Sequence, residues 1–329
     1  MLPVRIRHDA IQIGRHLRLG FQRTLRIPDD DRIYPLPPGL GRFPIFRVAD
    51  YARTVPASWR RRGGVFIPMY QREALWLSLE CSWWRACAAK VGVGRVNAVS
   101  GEAWDQDLHD DPQDYLVCPD QPWLDGINAG DGFVRQFAAM PLGMGYTVEG
   151  QVTGGEEHGG IQILAVEPKP GRFPDREPRP RLDRYSVMCC DMALSAPAGL
   201  EMGIAAGGRM RQEIHPDPHG LDTWDPTRTG RVYVHIVNSM AFRDITGLEP
   251  PATPVSARAY TEHGLPWFDL YDEGRGDLAP ARALAGVKGV RAMDEGNGFA
   301  PQQDDAPVPV PAGQVTVIGE PGLVRDEQW

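Results

Sequence analysis

The 329-residue chain has few cysteines, no paired-thiol motif and no long apolar run. Its five cysteines (Cys81, Cys87, Cys118, Cys189 and Cys190) are few and odd in number, which argues against a secreted disulfide scaffold. No CxxC pair is present, so a thiolate zinc site is not expected. The start, MLPVRIRHDAIQIG, lacks the apolar core of a signal peptide, and a cytoplasmic, reducing location is expected. The nearest approach to a membrane span is residues 192–208, but Pro197, Glu201 and several glycines interrupt it, so no transmembrane segment is expected. Basic surplus is also missing. The net charge is −8, and nothing global supplies the face that nucleic acid would need. There is no GxGxxG, GxxxxGK[ST], GxSxG or HExxH, which removes the simple routes to dinucleotide binding, nucleotide hydrolysis, serine esterase and zincin chemistry. No cofactor is expected.

Glycine (37) and proline (31) are plentiful. Long helices tolerate them poorly, because proline removes a donor and glycine adds an entropy cost, whereas short strands joined by turns accommodate both. Alternation with period two recurs accordingly. In residues 74–80, Leu75, Leu77 and Leu79 share a face and Trp76 takes the other. Similar short runs occur at 18–27, 65–69, 90–99, 115–118, 133–140, 160–167, 231–238 and 315–319, each bounded by turn-forming residues. Gly130, Asp131 and Gly132 signal a hairpin ahead of the run at 133–140. Short helical pieces are predicted as one turn within 49–59 before Pro56, within 146–154 between a Thr147 cap and a Gly154 stop, and over 277–287 with Asp277 as cap. The fold class is therefore mainly β and antiparallel, sandwich-like or built as two β lobes, with few short helices.

Two proline-rich stretches organise the chain. Residues 168–184 carry six basic residues against three acids and are read as a linker or long loop. They divide a β-rich lobe at 1–167 from a second β-rich lobe with a short helix at 185–293. A proline-rich tail with a final strand follows at 294–329.

Candidate sites cluster in four places. The acidic stretch 105–114 places Asp105, Asp107 and His109 at alternate positions, like a calcium loop. Asp110 and Leu116 stand where that loop needs Gly and Glu, so a solvated acidic turn is expected. The stretch 213–222 offers His215, Asp217 and His219 on one side of an extended chain as metal ligands, although no resident metal is expected. With Glu213 the same residues form an acid/base set. Arg209 and Arg211 follow a glycine pair that reads as a turn, and they could hold an anion. Trp123 and Trp267 each follow a proline and precede an acid, and with Asp120 and Asp125 they complete the candidate binding residues. Cys118 reads as a structural thiol.

Longer stretches carry a resemblance. YPLPPGLGRFPIFRVADY (34–51), GVFIPMYQREALW (64–76), KVGVGRVNAVSGE (90–102), PQDYLVCPDQPWLDGI (112–127), LGMGYTVEGQVTG (142–154), GGRMRQEI (207–214) and LPWFDLYD (265–272) are similar to a widespread uncharacterised family. Its members are often labelled hypothetical or integral membrane protein. The likeness spans roughly residues 20–290 and implies no activity and no catalytic residues. The membrane label conflicts with the absence of an adequate span.

The expected function is a cytoplasmic binding or assembly protein, with homo-oligomerisation or a protein partner engaged through the proline-rich segments, and no nucleic-acid or membrane partner. The alternative is a metal-assisted or acid/base hydrolase of polar or sugar-like substrates using Glu213, His215, Asp217 and His219.

Overall fold

In the computed structural model of the chain, residues 1–178, 200–270, 276–300 and 302–318 are described. Alternation becomes sheet where it is strictest. Leu75, Leu77 and Leu79 of the strand Ala74–Glu80 face the main core, and Glu80 reaches water. Of the described residues, 38% are strand and 17% helix, and most pairings are antiparallel. At the hairpin between Gly126–Gly130 and Phe133–Pro141, Asp131 and Gly132 both have positive φ. Two such residues in a row match the twist of the flanking strands.

Among the described residues the pairing runs continuously through 17 strands. Ala74–Glu80 lies beside Leu17–Thr24 on one side and beside Trp123–Leu124 and Phe133–Pro141 on the other. Phe133–Pro141 pairs along its length with Glu201–Arg211, which passes the sheet on to Trp224–Asn238. That long strand is flanked by Ile161–Pro168 and, in parallel, by Val65–Met69. Ile161–Pro168 then pairs with Cys87–Val93, and Cys87–Val93 with Leu116–Cys118. Strands from either side of residues 168–184 therefore share one sheet. The expected lobe boundary falls between its hydrogen-bonded neighbours.

One face of this last group of strands meets the main core through Val65, Val91, Ile163 and Val234. The opposite face carries two smaller apolar clusters. One contains Trp104, Tyr115, Leu164 and Trp224, the other Trp59, Phe66, Phe242 and Ile245. Between them the face holds polar side chains: Arg231 and Tyr233 on one strand, Gln162 and Lys90 on the next two. Gly92 fits this design. A side chain there would collide with the Trp104 ring lying against the strand.

Two local expectations are corrected. The glycine pair Gly207–Gly208 is inside the strand Glu201–Arg211, not in a turn before one; a side chain at Gly208 would drive into the Pro28 carbonyl. Asp277 caps no helix. The helix is Arg282–Ala285, starting beyond Pro280, and the Asp277 carboxylate instead accepts from the backbone N–H of Gly132 (2.6 Å) and of Ile214 (2.8 Å). The single turn expected before Pro56 is a 3-10 turn at Val48–Tyr51, and a further helix, Ala57–Arg62, begins after the proline. The helix Val148–Thr153 has its expected ends, with Thr147 Oγ1 accepting from Gly150 N at 3.0 Å and Gly154 left-handed.

The described parts of the proline-rich segments dock on the fold. Lys169 N donates to Thr223 O at 2.9 Å, and both Lys169 and Arg172 pair with Asp222. Asp304 and Asp305 bind Arg72 and Arg26 in a largely buried network that Asp294 joins. The final strand Val315–Ile318 pairs in parallel with Trp267–Leu270. Among the described residues, no helix is long and apolar enough to cross a membrane. Residues 192–199 and 179–184, which belong to stretches singled out above, lie outside the described residues, as do Cys189 and Cys190.

Candidate functional site

The stretches 113–125 and 212–219, both singled out from sequence, do meet. They are stitched by three glutamines. Gln121 Oε1 accepts from His215 N at 3.0 Å, and its Nε2 donates to Glu213 O and Trp123 O. Gln113 Oε1 accepts from Asp217 N at 2.8 Å. Gln212 Oε1 accepts from Asp125 N at 2.9 Å. The result is a polar seam in which the three glutamines answer backbone groups of both stretches.

The expected ligand set does not converge there. Asp217 Oδ2 accepts from the Tyr115 hydroxyl (2.7 Å) and from Trp224 Nε1 (2.9 Å), while its Oδ1 accepts from His219 N (2.7 Å). His215 Nδ1 faces Gly276 O at 3.1 Å. His219 Nε2 lies 3.9 Å from Asp120 Oδ2, and its ring packs edge-on against Phe173 and Trp224. Asp217 thus spends its oxygens on holding two aromatics. Burial, and then the Asp217 carboxylate, push the Tyr115 phenol well above its usual range.

The remaining sequence candidates separate. Trp267 is corrected: it is fully buried, with Nε1 donating to Thr261 Oγ1 at 3.1 Å and Tyr260 edge-on beside it. Trp123 is half-buried on a strand against Ala74–Glu80. Asp125 is buried; burial raises its carboxyl to about 7, with Trp123 drawing it partway back, and Oδ2 has no hydrogen-bond partner. Arg209 lies over the Phe133 ring at 5.2 Å, and Arg211 is exposed on the same strand. They do not form a two-arginine cradle after a turn.

Among the described residues, Asp105, His109 and Asp114 bring ligand atoms within 4.8 Å of one another. A cation is already provided. Lys90 Nζ lies 2.6 Å from Asp105 Oδ1 and 2.6 Å from Asp114 Oδ2, and it donates to Asp107 O at 2.5 Å. The expected solvated turn is thus only half solvated: Asp105 and His109 are exposed, whereas Asp114 is buried beneath them. Trp104 covers the ammonium at 5.5 Å.

Beside Trp104, on the polar part of the sheet face, an open groove of about 1310 Å³ was not foreseen from the sequence. Tyr233 lines it and heads a column of rings that runs into the buried cluster beneath. Tyr233 stacks on His235 at 4.4 Å, and His235 on Trp59 at 4.5 Å. The Tyr233 hydroxyl donates to His158 O (2.8 Å) and Gly159 O (2.9 Å), and Arg62 lies over the Tyr233 ring at 5.6 Å. Burial holds His235 down to about 4, so it is neutral, and its Nε2 meets Gly63 O at 3.0 Å.

Arg5, Arg47, Arg61, Arg62, Arg95 and Arg231 line the groove. The two aspartates of the groove are already paired, one of them with an arginine of the groove itself. Asp50 is held by Arg47 through two hydrogen bonds of 2.8 Å, and Asp105 by Lys90. Among the described residues, Arg5, Arg61 and Arg231 are exposed and make no ion pair. Such a group of guanidinium forks is suited to oxyanions, which each fork can grip through two parallel hydrogen bonds. One signal was available in the sequence: Arg231 and Tyr233 alternate outward in a recognised strand.

No family model matches the chain, and neither does any curated protein or solved structure.

Proposed function

We propose that the protein is a binding protein whose arginine-lined groove takes an anionic ligand carrying two or more phosphate or carboxylate groups. One observation carries this reading. A chain with net charge −8 gathers six arginines around a single groove; Asp50 takes one of them, Arg47, and Asp105 takes Lys90, which leaves five groove arginines not paired with a groove acid. Cations concentrated this way raise the local concentration of anions even when the whole molecule is acidic. The size suits a ligand larger than a single phosphate, since small-molecule sites are typically about 300–1,000 Å³. Tyr233 is backed by the buried rings of His235 and Trp59, which holds this lining side chain in place and lowers the ordering cost of binding.

Binding is preferred over turnover because Glu213, His215, Asp217 and His219 share no proton acceptor. The Asp217 oxygens already serve Tyr115, Trp224 and the backbone of His219. Recognition is placed in the groove and not in the proline-rich segments, whose described parts contact the protein's own fold. Thermal unfolding with inorganic tripolyphosphate and with an uncharged sugar at equal concentration tests the reading. The expected result is a higher midpoint with tripolyphosphate only, because a ligand that binds the folded state alone stabilises it. Equal midpoints in both, or a rise with single-stranded oligonucleotide and none with tripolyphosphate, would overturn it.

A further inference from the structure

The arginine groove runs between two strand edges. On one side the strand Val4–Ile6 pairs antiparallel with Ala10–Ile13. Arg7 and Ala10 exchange main-chain hydrogen bonds of 2.8 and 3.1 Å, and Gly14 N donates to Pro3 O at 2.9 Å. Successive residues of a strand turn their N–H and C=O to opposite sides, so residues 3, 5 and 7 face Ala10–Ile13 and residues 2, 4 and 6 face away from it. Leu2 N accordingly donates outward, to Thr229 O at 2.6 Å.

The strand Trp224–Asn238 shows the same alternation on the other side. Thr229 O accepts from Leu2, and the Tyr233 carbonyl lies so close to Gly64 that a side chain there would come within 2.2 Å of it. Arg231, midway between them, therefore turns its main-chain groups the same way, away from Ile161–Pro168. The strand Val65–Met69 takes up that side only from Val234 onward. Val4, Arg5 and Ile6 line the groove from one edge, and Arg231, Val232 and Tyr233 from the other. Among the described residues, the outward N–H and C=O of Val4, Ile6 and Arg231 meet no hydrogen-bond partner.

We propose that the groove takes an extended acidic peptide segment, which adds as a strand beside Val4–Ile6 and sets its carboxylates against the arginines. The proposal rests on the reading of the groove as an anion site and names the class of anion. A polyphosphate offers acceptors only and leaves the carbonyls of Val4, Ile6 and Arg231 unanswered. A peptide main chain brings donors and acceptors together, at the spacing of a strand. Side chains fit the same ligand. Arg5 and Arg231 are exposed, one on each edge, while Val4 is 37% exposed and Ile6 half-buried on the face opposite Arg5. A segment that alternates acidic and β-branched residues meets arginine on one face and Val4 and Ile6 on the other. A second copy of the chain is a poorer occupant, because pairing through Val4–Ile6 would bring the arginines of two grooves together.

The test is isothermal titration of the full chain with the capped peptide acetyl-Glu-Val-Glu-Val-Glu-Val-amide. Two further copies of the peptide are N-methylated, one at the glutamates and one at the valines. N-methylation keeps charge and side chains and removes the donors along one edge. The expected result is saturable binding of the parent peptide, displacement by tripolyphosphate, and affinity weaker by about tenfold or more in at least one N-methylated copy. Equal affinity for all three peptides would show that charge alone is read and would overturn the proposal. Binding of tripolyphosphate without binding of the peptide would overturn it too and leave the anion site standing, whereas binding of neither would remove both. Absence of peptide binding by a protein that light scattering shows to be a dimer would give the edge to a second copy and equally overturn the proposal.

Discussion

Lys90 Nζ lies 2.6 Å from Asp114 Oδ2, and both side chains are buried under Trp104. The lysine thus occupies the point where Asp105, His109 and Asp114 converge. Removing one partner of a buried pair leaves an uncompensated charge, at a cost of about 3–5 kcal/mol. Lys90→Met is expected to lower urea-unfolding stability by that order, and millimolar calcium or zinc should restore part of it through Asp105, His109 and Asp114. Unchanged stability in Lys90→Met would show that Asp114 does not need the ammonium.

Asp217 ties two aromatic donors to the 213–219 segment. Asp217→Ala strands the Tyr115 hydroxyl and the Trp224 indole N–H, and unsatisfied buried donors cost about 1–3 kcal/mol each. Urea unfolding should show a loss of about 2 kcal/mol or more, with tripolyphosphate affinity unchanged. A large loss of affinity without destabilisation would return this segment to the binding site.

His235 and Asp125 carry opposite pH dependences. Burial holds His235 at about 4, below its unfolded value of 6.5. Its contribution to stability is present above pH 6.5 and is lost as pH falls toward 4. Burial holds Asp125 at about 7, above its unfolded 3.8. Its contribution is present below pH 3.8 and is lost as pH rises through 7. Each slope is about 1.4 kcal/mol per pH unit, so over the shared window the two nearly cancel. Asp125→Asn should therefore become more stable as pH rises from about 4.5 to 6.5, and His235→Gln less stable. Urea melts across that range check the signs, and parallel curves in the two variants would refute the assignment.

Arg72 binds Asp294, Asp304 and Asp305 at 2.6, 2.7 and 2.5 Å and pins the proline-rich segment to the sheet. Arg72→Ala is expected to cost about 3–5 kcal/mol and to open residues 302–314 to limited proteolysis. Resistance equal to wild type would mean that the parallel pairing of Val315–Ile318 alone holds the segment.

Strand alternation was legible in the sequence where one face meets the core, as in Ala74–Glu80, and the turn at Asp131–Gly132 was legible because its backbone demands those residue types. Trp267 was misread. The flanking proline and acid are local signals, while its burial depends on the distant Tyr260, Thr261 and Val315–Ile318. Lys90 reads as an ordinary strand residue until the pairing of Leu116–Cys118 brings Asp114 beside it. The groove was hidden for the same reason. Arg5, Arg47, Arg61, Arg62, Arg95 and Arg231 come from separate stretches, and only the sheet gathers them.

Isothermal titration of inorganic tripolyphosphate into wild type and into Arg61→Ala/Arg231→Ala tests the groove most directly. Both arginines are exposed and make no ion pair among the described residues, so their loss should leave the fold intact. The account predicts wild-type binding that weakens as salt rises, and a double variant at least tenfold weaker, about 1.4 kcal/mol. Equal affinity in the two proteins, or no binding by the wild type at low salt, would contradict it.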